Sequence, residues 1–139
     1  MYTAHTPNWN ELTFSIRTER LSITQPTQPL KYLKVTIREH STGNSTVIPE
    51  YPCRHDHTPS IEELLMFLYQ KTRIYLDARF SCASPSSFLM ERYRIPNRQT
   101  AYQTYLFTKD CHNSLKQLLD TTGVTFMELR QALGYEDRN

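Results

Sequence analysis

Cys53-Arg54-His55-Asp56-His57 places one thiol and two imidazoles within five residues, donor types from which a zinc ion takes its sulfur and nitrogen ligands. Cys111-His112 offers the donors that would complete the set. Structural zinc, however, takes its second pair with both side chains aimed at one point, and neighbours on a helix diverge by roughly 100°. Cys53, His55 and His57 therefore stand as weak metal candidates, beside the alternative of a polar loop preceding a helix, and no cofactor is expected. His55-Asp56 alone would suit a metal-dependent phosphohydrolase, but the other spaced His and Asp ligands are missing. For nucleophilic catalysis, Cys53 or Cys111 beside a histidine would supply a thiolate pair. Residues adjacent in sequence seldom meet as a dyad, and no oxyanion-hole glycine lies near either cysteine. The scattered acids sit mostly where helix-end electrostatics account for them. No catalytic residue is assigned, and the chain is expected not to be an enzyme.

A second constellation is basic and rich in tyrosine. From Lys71 to Lys109 seven cations (Lys71, Arg73, Arg79, Arg92, Arg94, Arg98, Lys109) face two anions (Asp77, Glu91), so this segment is +5 within a chain of net charge +2. The arginines lie among Tyr69, Tyr75, Tyr93, Tyr102 and Tyr105. Arginines hold phosphates and tyrosines stack on bases, which suits single-stranded nucleic acid or a nucleoprotein. The same residue types dominate protein-binding hot spots, because tyrosine covers large area at little entropic cost and arginine pairs bidentately. Arg73, Tyr75, Arg79, Arg92, Tyr93, Arg94, Arg98 and Tyr102 are the candidate partner-binding residues. The alternative is structural, with tyrosines in the core and arginines solvating outer faces.

The C-terminal segment Leu118-Leu119-Asp120-Thr121-Thr122-Gly123-Val124-Thr125, followed by Phe126-Met127-Glu128-Leu129-Arg130-Gln131-Ala132-Leu133, resembles a helix-turn-helix. Gly123 sits at the turn, and Val124, Leu129 and Ala132 at the positions that pack the two helices together in that family. The resemblance implies that Thr125, Met127, Arg130 and Gln131 would face the major groove, where Arg and Gln pair with guanine and adenine edges. It covers under a fifth of the chain, and Leu119 stands where the family usually has alanine. A helical hairpin closing a core accounts for the same pattern.

Composition bounds what can position these groups. A chain of 139 residues with 38% apolar content builds one core, so one domain is expected over 1–139. No apolar run of about 18 residues would span a bilayer, and Met1–Asn10 lacks the features of a signal peptide. Cys53, Cys82 and Cys111 are widely spaced and odd in number, which fits reduced thiols and a cytoplasmic location with no membrane partner. Three glycines are too few for a phosphate-cradling loop.

The pattern of elements is α+β. An N-terminal antiparallel sheet of about four strands in residues 1–50 is expected to pack on a C-terminal half of about four helices in residues 58–135. Leu12, Phe14 and Ile16, then Leu21 and Ile23 beyond Thr18-Glu19-Arg20, read as a hairpin. Leu33, Val35 and Ile37 make the clearest strand, and Thr46–Ile48 a short partner whose open edge could pair with a second copy. Pro49–Pro59 reads as a connector, and Thr58-Pro59 as cap and first turn of a helix ending near Phe80. Ser84-Pro85 opens a short helix to about Tyr93. Asn97 caps the next, with Ala101, Tyr102, Tyr105 and Leu106 on one face and a recap expected at Asp110. Thr125 and Glu128 make a capping box for the last.

A non-enzymatic protein that binds a protein or nucleoprotein through the basic, tyrosine-rich helices is the expected function, with direct nucleic-acid contact and a homodimer as open alternatives. In general character, though through no motif, the chain resembles accessory proteins of phages and mobile elements, including inhibitors of anti-CRISPR type. Its slight cationic excess disfavours inhibition by duplex mimicry.

Overall fold

Leu33, Val35 and Ile37 alternate with Lys34, Thr36 and Arg38 and form the middle of the central strand, about which the rest of the sheet is arranged. The computed structural model describes residues 14–21, 30–40, 42–54 and 57–134. Within these, β1 (Phe14–Arg20), β2 (Leu30–Glu39) and β3 (Ser45–Arg54) make an antiparallel sheet in the order β1-β2-β3. Four helices follow, α1 (Ile61–Arg79), α2 (Pro85–Arg92), α3 (Arg98–Thr122) and α4 (Phe126–Ala132). The chain is α+β as expected, with three strands in place of four among the described residues.

The strand count differs at Thr18-Glu19-Arg20. These residues continue β1 instead of turning, with Thr18 opposite Val35, Glu19 opposite Lys34 and Arg20 opposite Leu33. None of the three is a residue that enters positive φ readily, and Glu19 against Lys34 is a favourable cross-strand charge pair. Leu12 and Ile23, assigned to the expected hairpin, lie outside the described residues.

β3 is longer than the Thr46–Ile48 strand expected and runs on through Pro49 and Pro52, residues read from the sequence as a connector. Between the pairs Leu33–Tyr51 and Val35–Ile48, Lys34 of β2 stands against both Pro49 and Glu50, which makes a β-bulge. The extra residue reverses the alternation, so Thr46 and Ile48 point inward before it and Tyr51 and Cys53 after it. Ser114 of α3 donates its hydroxyl to the Val47 carbonyl at 2.7 Å, and Gln117 Nε2 donates to the Ser45 carbonyl at 3.1 Å. The outward backbone groups of β3 at 45 and 47 are thus roofed by α3, and the edge read as open to a second copy is partly closed. Alternation directs Pro49 outward as well, and the bulge does the same for Pro52, so neither proline withholds a donor from β2.

The caps follow from side chains at helix starts. Ser60, not Thr58, caps α1, accepting from the Glu63 amide at 3.2 Å, so the helix begins two residues after Pro59. Ser84 and Asn97 cap α2 and α3 as expected. α3 does not restart at Asp110 but is continuous over 25 residues, because Cys111, Leu115, Leu118 and Leu119 beyond that point are all buried. Gly123, at φ +72°, ends α3 in the left-handed region that an L side chain resists.

Two apolar clusters result. The larger joins Leu33, Val35 and Ile37 of β2 and Ile48 of β3 to Leu64, Leu65 and Leu68 of α1, the C-terminal half of α3, and Leu129 of α4. The smaller lies beyond the sheet, where Ala78 of α1, Leu89 of α2 and Ala101 of α3 meet. Thr72, Tyr75 and Thr108, buried but polar, lie between them along α1 and α3. Leu115→Ala should lower unfolding free energy in urea by about 3 kcal/mol, the usual cost of a cavity in a main core. Leu89→Ala should instead raise amide exchange in α2 while β2 stays protected; equal loss in both elements would show the clusters to be one unit.

Candidate functional site

The C-terminal end of α1, α2, and the first half of α3 carry the basic, aromatic surface. Phe80 caps α1 and is 73% exposed, Tyr93 caps α2 and is 43% exposed, and Tyr102 and Leu106 on α3 are 55% and 40% exposed. Arg98, Tyr102 and Leu106 recur at four-residue steps and share one helix face. Arg79, Arg92, Arg94 and Arg98, on the same segments, are all exposed. The smaller cluster behind the surface explains its order: burying Leu89 and Ala101 turns the opposite faces of α2 and α3 outward.

Several of these side chains are held. Arg79 Nη1 donates to the Tyr75 hydroxyl at 3.1 Å, and its guanidinium lies 5.3 Å from the Phe80 ring centre. Arg98 Nη1 reaches Ser87 Oγ at 3.4 Å, joining α3 to α2. Tyr93 meets Phe88 edge-on at 6.5 Å. Arg94 has φ +54°, in the left-handed region, and is the only non-glycine described there. That conformation costs a non-glycine residue about 1 kcal/mol.

Two expected members stand apart. Tyr75 is only 3% exposed, its ring packed between Tyr105 at 5.4 Å and His112 at 5.1 Å, so it anchors Arg79 from inside and presents no ring to a partner. Arg73 is exposed but shares its helix face with Asp77 one turn on. Phe80 and Leu106 belong to the surface and were not among the residues singled out from sequence. The spacing that places Ala101, Tyr102, Tyr105 and Leu106 on one face does not hold in the structure: the buried face of α3 runs through Ala101, Thr108 and Cys111, and Tyr102 and Leu106 are exposed. The four-residue step from Arg98 through Tyr102 was the signal that could have found Leu106.

Along α3, burial shifts three ionisable groups. Burial, followed by the charges of Lys116 and Arg79, holds His112 below its ordinary value of 6.5. Among the described residues its Nδ1 is buried without a hydrogen-bond partner. Burial and then the neighbouring Tyr75 push the Tyr105 hydroxyl up. The Cys111 thiol is pushed up to about 12, chiefly by burial, with Asp110 adding to the rise and Lys71 opposing it. Such a thiol is a packing group and not a nucleophile.

The residues matching a helix-turn-helix are arranged differently. Val124 and Leu129 are buried, but Ala132, expected to pack the helices together, is exposed. Thr125 is engaged in its capping box: its Oγ1 accepts from the Glu128 amide at 3.1 Å and donates to Glu128 Oε1 at 2.9 Å. Met127 and Gln131 are exposed one turn apart, and Arg130 is half-buried. α4 has seven residues and is docked on α1 by Phe126, stacked on Tyr69 at 5.2 Å.

Of the metal candidates, Cys53 is buried and its thiol donates to the His57 carbonyl at 3.0 Å. The His57 imidazole instead meets Glu63 at 2.6 Å, and His55 lies outside the described residues. Cys111 enters the main core while its neighbour His112 stacks on Tyr75, so the two diverge. No group of three or more His, Cys, Asp or Glu side chains among the described residues is placed to hold a metal ion. No helix among them is long and apolar enough to cross a membrane.

Comparison with known proteins found no matching family model, no similar curated protein and no similar solved structure.

All three cysteines are free, and Cys82 alone is exposed. A disulfide reagent such as Ellman's should therefore titrate one thiol rapidly in the native protein and the other two only on unfolding, and Cys82→Ser should abolish the fast phase. His112 gives a pH dependence of defined sign. Held below 6.5 in the fold, it is neutral where the unfolded chain binds a proton, so stability is lost as pH falls through 6.5. His112→Phe, which keeps the stack on Tyr75, should reduce the difference in urea midpoint between about pH 7.5 and about pH 5.5.

Proposed function

We propose that the protein is a non-enzymatic, cytoplasmic binding protein that engages a protein or nucleoprotein complex through Phe80, Tyr93, Tyr102 and Leu106 with Arg79, Arg92, Arg94 and Arg98. The observation that carries this reading is the outward display of four large apolar or aromatic side chains among four arginines. Scattered exposed apolar residues are ordinary, but here four among the described residues fall between residues 80 and 106, the stretch that also carries the exposed arginines 92, 94 and 98. Burying the rings against a partner would supply the central contact area, and the guanidiniums would pair bidentately with carboxylates or phosphates at its margin. Net positive charge on this segment would also speed encounter with an acidic face.

Arg94 adds a physical argument. A residue kept in the left-handed region where glycine would be easier is a local cost that a contact made by its side chain would justify. The biological role that goes with such a surface is that of an accessory or inhibitor protein, of the kind mobile elements use against host complexes, anti-CRISPR inhibitors included; general character alone supports that part.

The test is affinity capture from host lysate with the wild type, with Arg92→Glu/Arg94→Glu/Arg98→Glu, and with Arg130→Ala/Gln131→Ala, each with and without nuclease. Charge reversal should weaken capture at least about tenfold while the second variant behaves as wild type. Capture of duplex DNA that survives charge reversal but is lost with Arg130→Ala/Gln131→Ala would overturn the reading in favour of a DNA-binding regulator. Arg94→Gly offers an independent measure: it should raise stability by about 0.5 kcal/mol by relieving the backbone, yet weaken the partner.

A further inference from the structure

At the opposite end of α1, about 24 Å from Arg79 along the helix, β3, the first turns of α1 and the end of α4 enclose a hollow of about 580 Å³. Its apolar surface comes from Tyr51, Met66, Phe67 and Leu133, and its charge from Glu62 and Glu63; among the described residues no lysine or arginine lines it. A volume of this size, mostly apolar and with a few convergent polar groups, is characteristic of small-molecule sites. We propose that this hollow binds a small organic cation, an ammonium carried on an aryl or alkyl group.

The aromatic wall is preorganised. The Tyr51 and Phe67 rings meet edge to face at 4.9 Å, and Phe67 is braced again by Phe107 at 6.2 Å. Phe67 also takes the Lys71 ammonium at 5.4 Å from its centre, a positive charge beside the hollow that Glu62 and Glu63 have to outweigh. Both carboxylates belong to the first turn of α1, where Glu63 is held by His57 at 2.6 Å and Glu62 is exposed. The partial positive charge of the helix start, about half a unit, offsets only part of their two negative charges. Tyr51 reports the resulting potential from within the hollow: after burial, the Glu63 charge is the next cause that pushes its hydroxyl up. A potential that opposes a phenolate favours an ammonium in the same place.

The basic surface and this hollow carry opposite charge, so the ligand class here is independent of the partner proposed above. The test uses 2-phenylethylammonium, with 3-phenylpropionate and 2-phenylethanol as anionic and neutral counterparts, read by methyl and aromatic NMR of Met66, Leu133, Tyr51 and Phe67. The ammonium should shift these resonances saturably with a dissociation constant of about 1 mM, and the carboxylate should bind at least about tenfold more weakly. Glu62→Gln/Glu63→Gln should bring the ammonium down to the affinity of the neutral alcohol, with wild-type chemical shifts elsewhere as the check on folding. The proposal is overturned if no saturable shift occurs at these residues, if the anion binds as well as the cation, or if the double variant keeps the preference.

Discussion

α3 runs unbroken for 25 residues, about 37 Å, and is the element that, together with α1 alongside it, the two apolar clusters share. Its C-terminal half is held down by sheet and α1 contacts at Cys111, Leu115, Leu118 and Leu119, and its N-terminal half projects beyond the sheet. That overhang needs cover of its own, which α2 provides through Leu89. Once α2 is pinned there, its outer side and the outer side of α3 must face water, and the aromatic and basic residues found on them are displayed by geometry rather than by exposure of a loop.

Much of this was legible in the residues. Period-two alternation in β2, the polar caps at Ser84, Asn97 and Thr125, and the glycine at 123 all operate within a few residues, and each stands where it was expected. What was illegible depends on partners distant in the chain. Asp110 has the chemistry of a cap, but burial of four residues after it holds the helix together through that point, so packing outweighs local preference. The prolines of β3 look like strand breakers until the bulge at Pro49-Glu50 is seen to turn them to the outer edge. The site follows the same division. Arginine composition marked the basic segment, whereas the burial of Tyr75 and the exposure of Leu106 depend on how α1 and α3 rotate against each other, which no local pattern records.

Charge is distributed along α1 in the sense opposite to its own dipole at both ends: Glu62 and Glu63 in the first turn, Arg79 in the last. Helix stability accounts for that arrangement, and the tertiary fold then gives each end different surroundings, one beside an apolar hollow and the other next to the exposed Phe80 ring. Between them the interior changes character, with Thr72, Tyr75, Thr108 and the His112 ring interrupting the aliphatic packing. The Thr108 hydroxyl is satisfied within α3, by the Tyr105 carbonyl at 2.9 Å, while Thr72 Oγ1 and His112 Nδ1 are buried without a hydrogen-bond partner among the described residues, so this stretch between the clusters carries a desolvation cost that the aliphatic packing on either side does not.

The roof that Ser114 and Gln117 place over β3 also bears on how the chain avoids its own copies. An uncovered strand edge is a template on which further strands add, the route to fibrous aggregates. β3 is protected twice, by side-chain donors from α3 at 45 and 47 and by prolines at 49 and 52 that cannot extend a ladder. β1 carries Arg17, Glu19 and Arg20 instead, charges that act as gatekeepers on the other outer strand. Among the described residues the sheet has three strands, about a third of whose backbone groups would otherwise lie open, and it is in this way kept from growing.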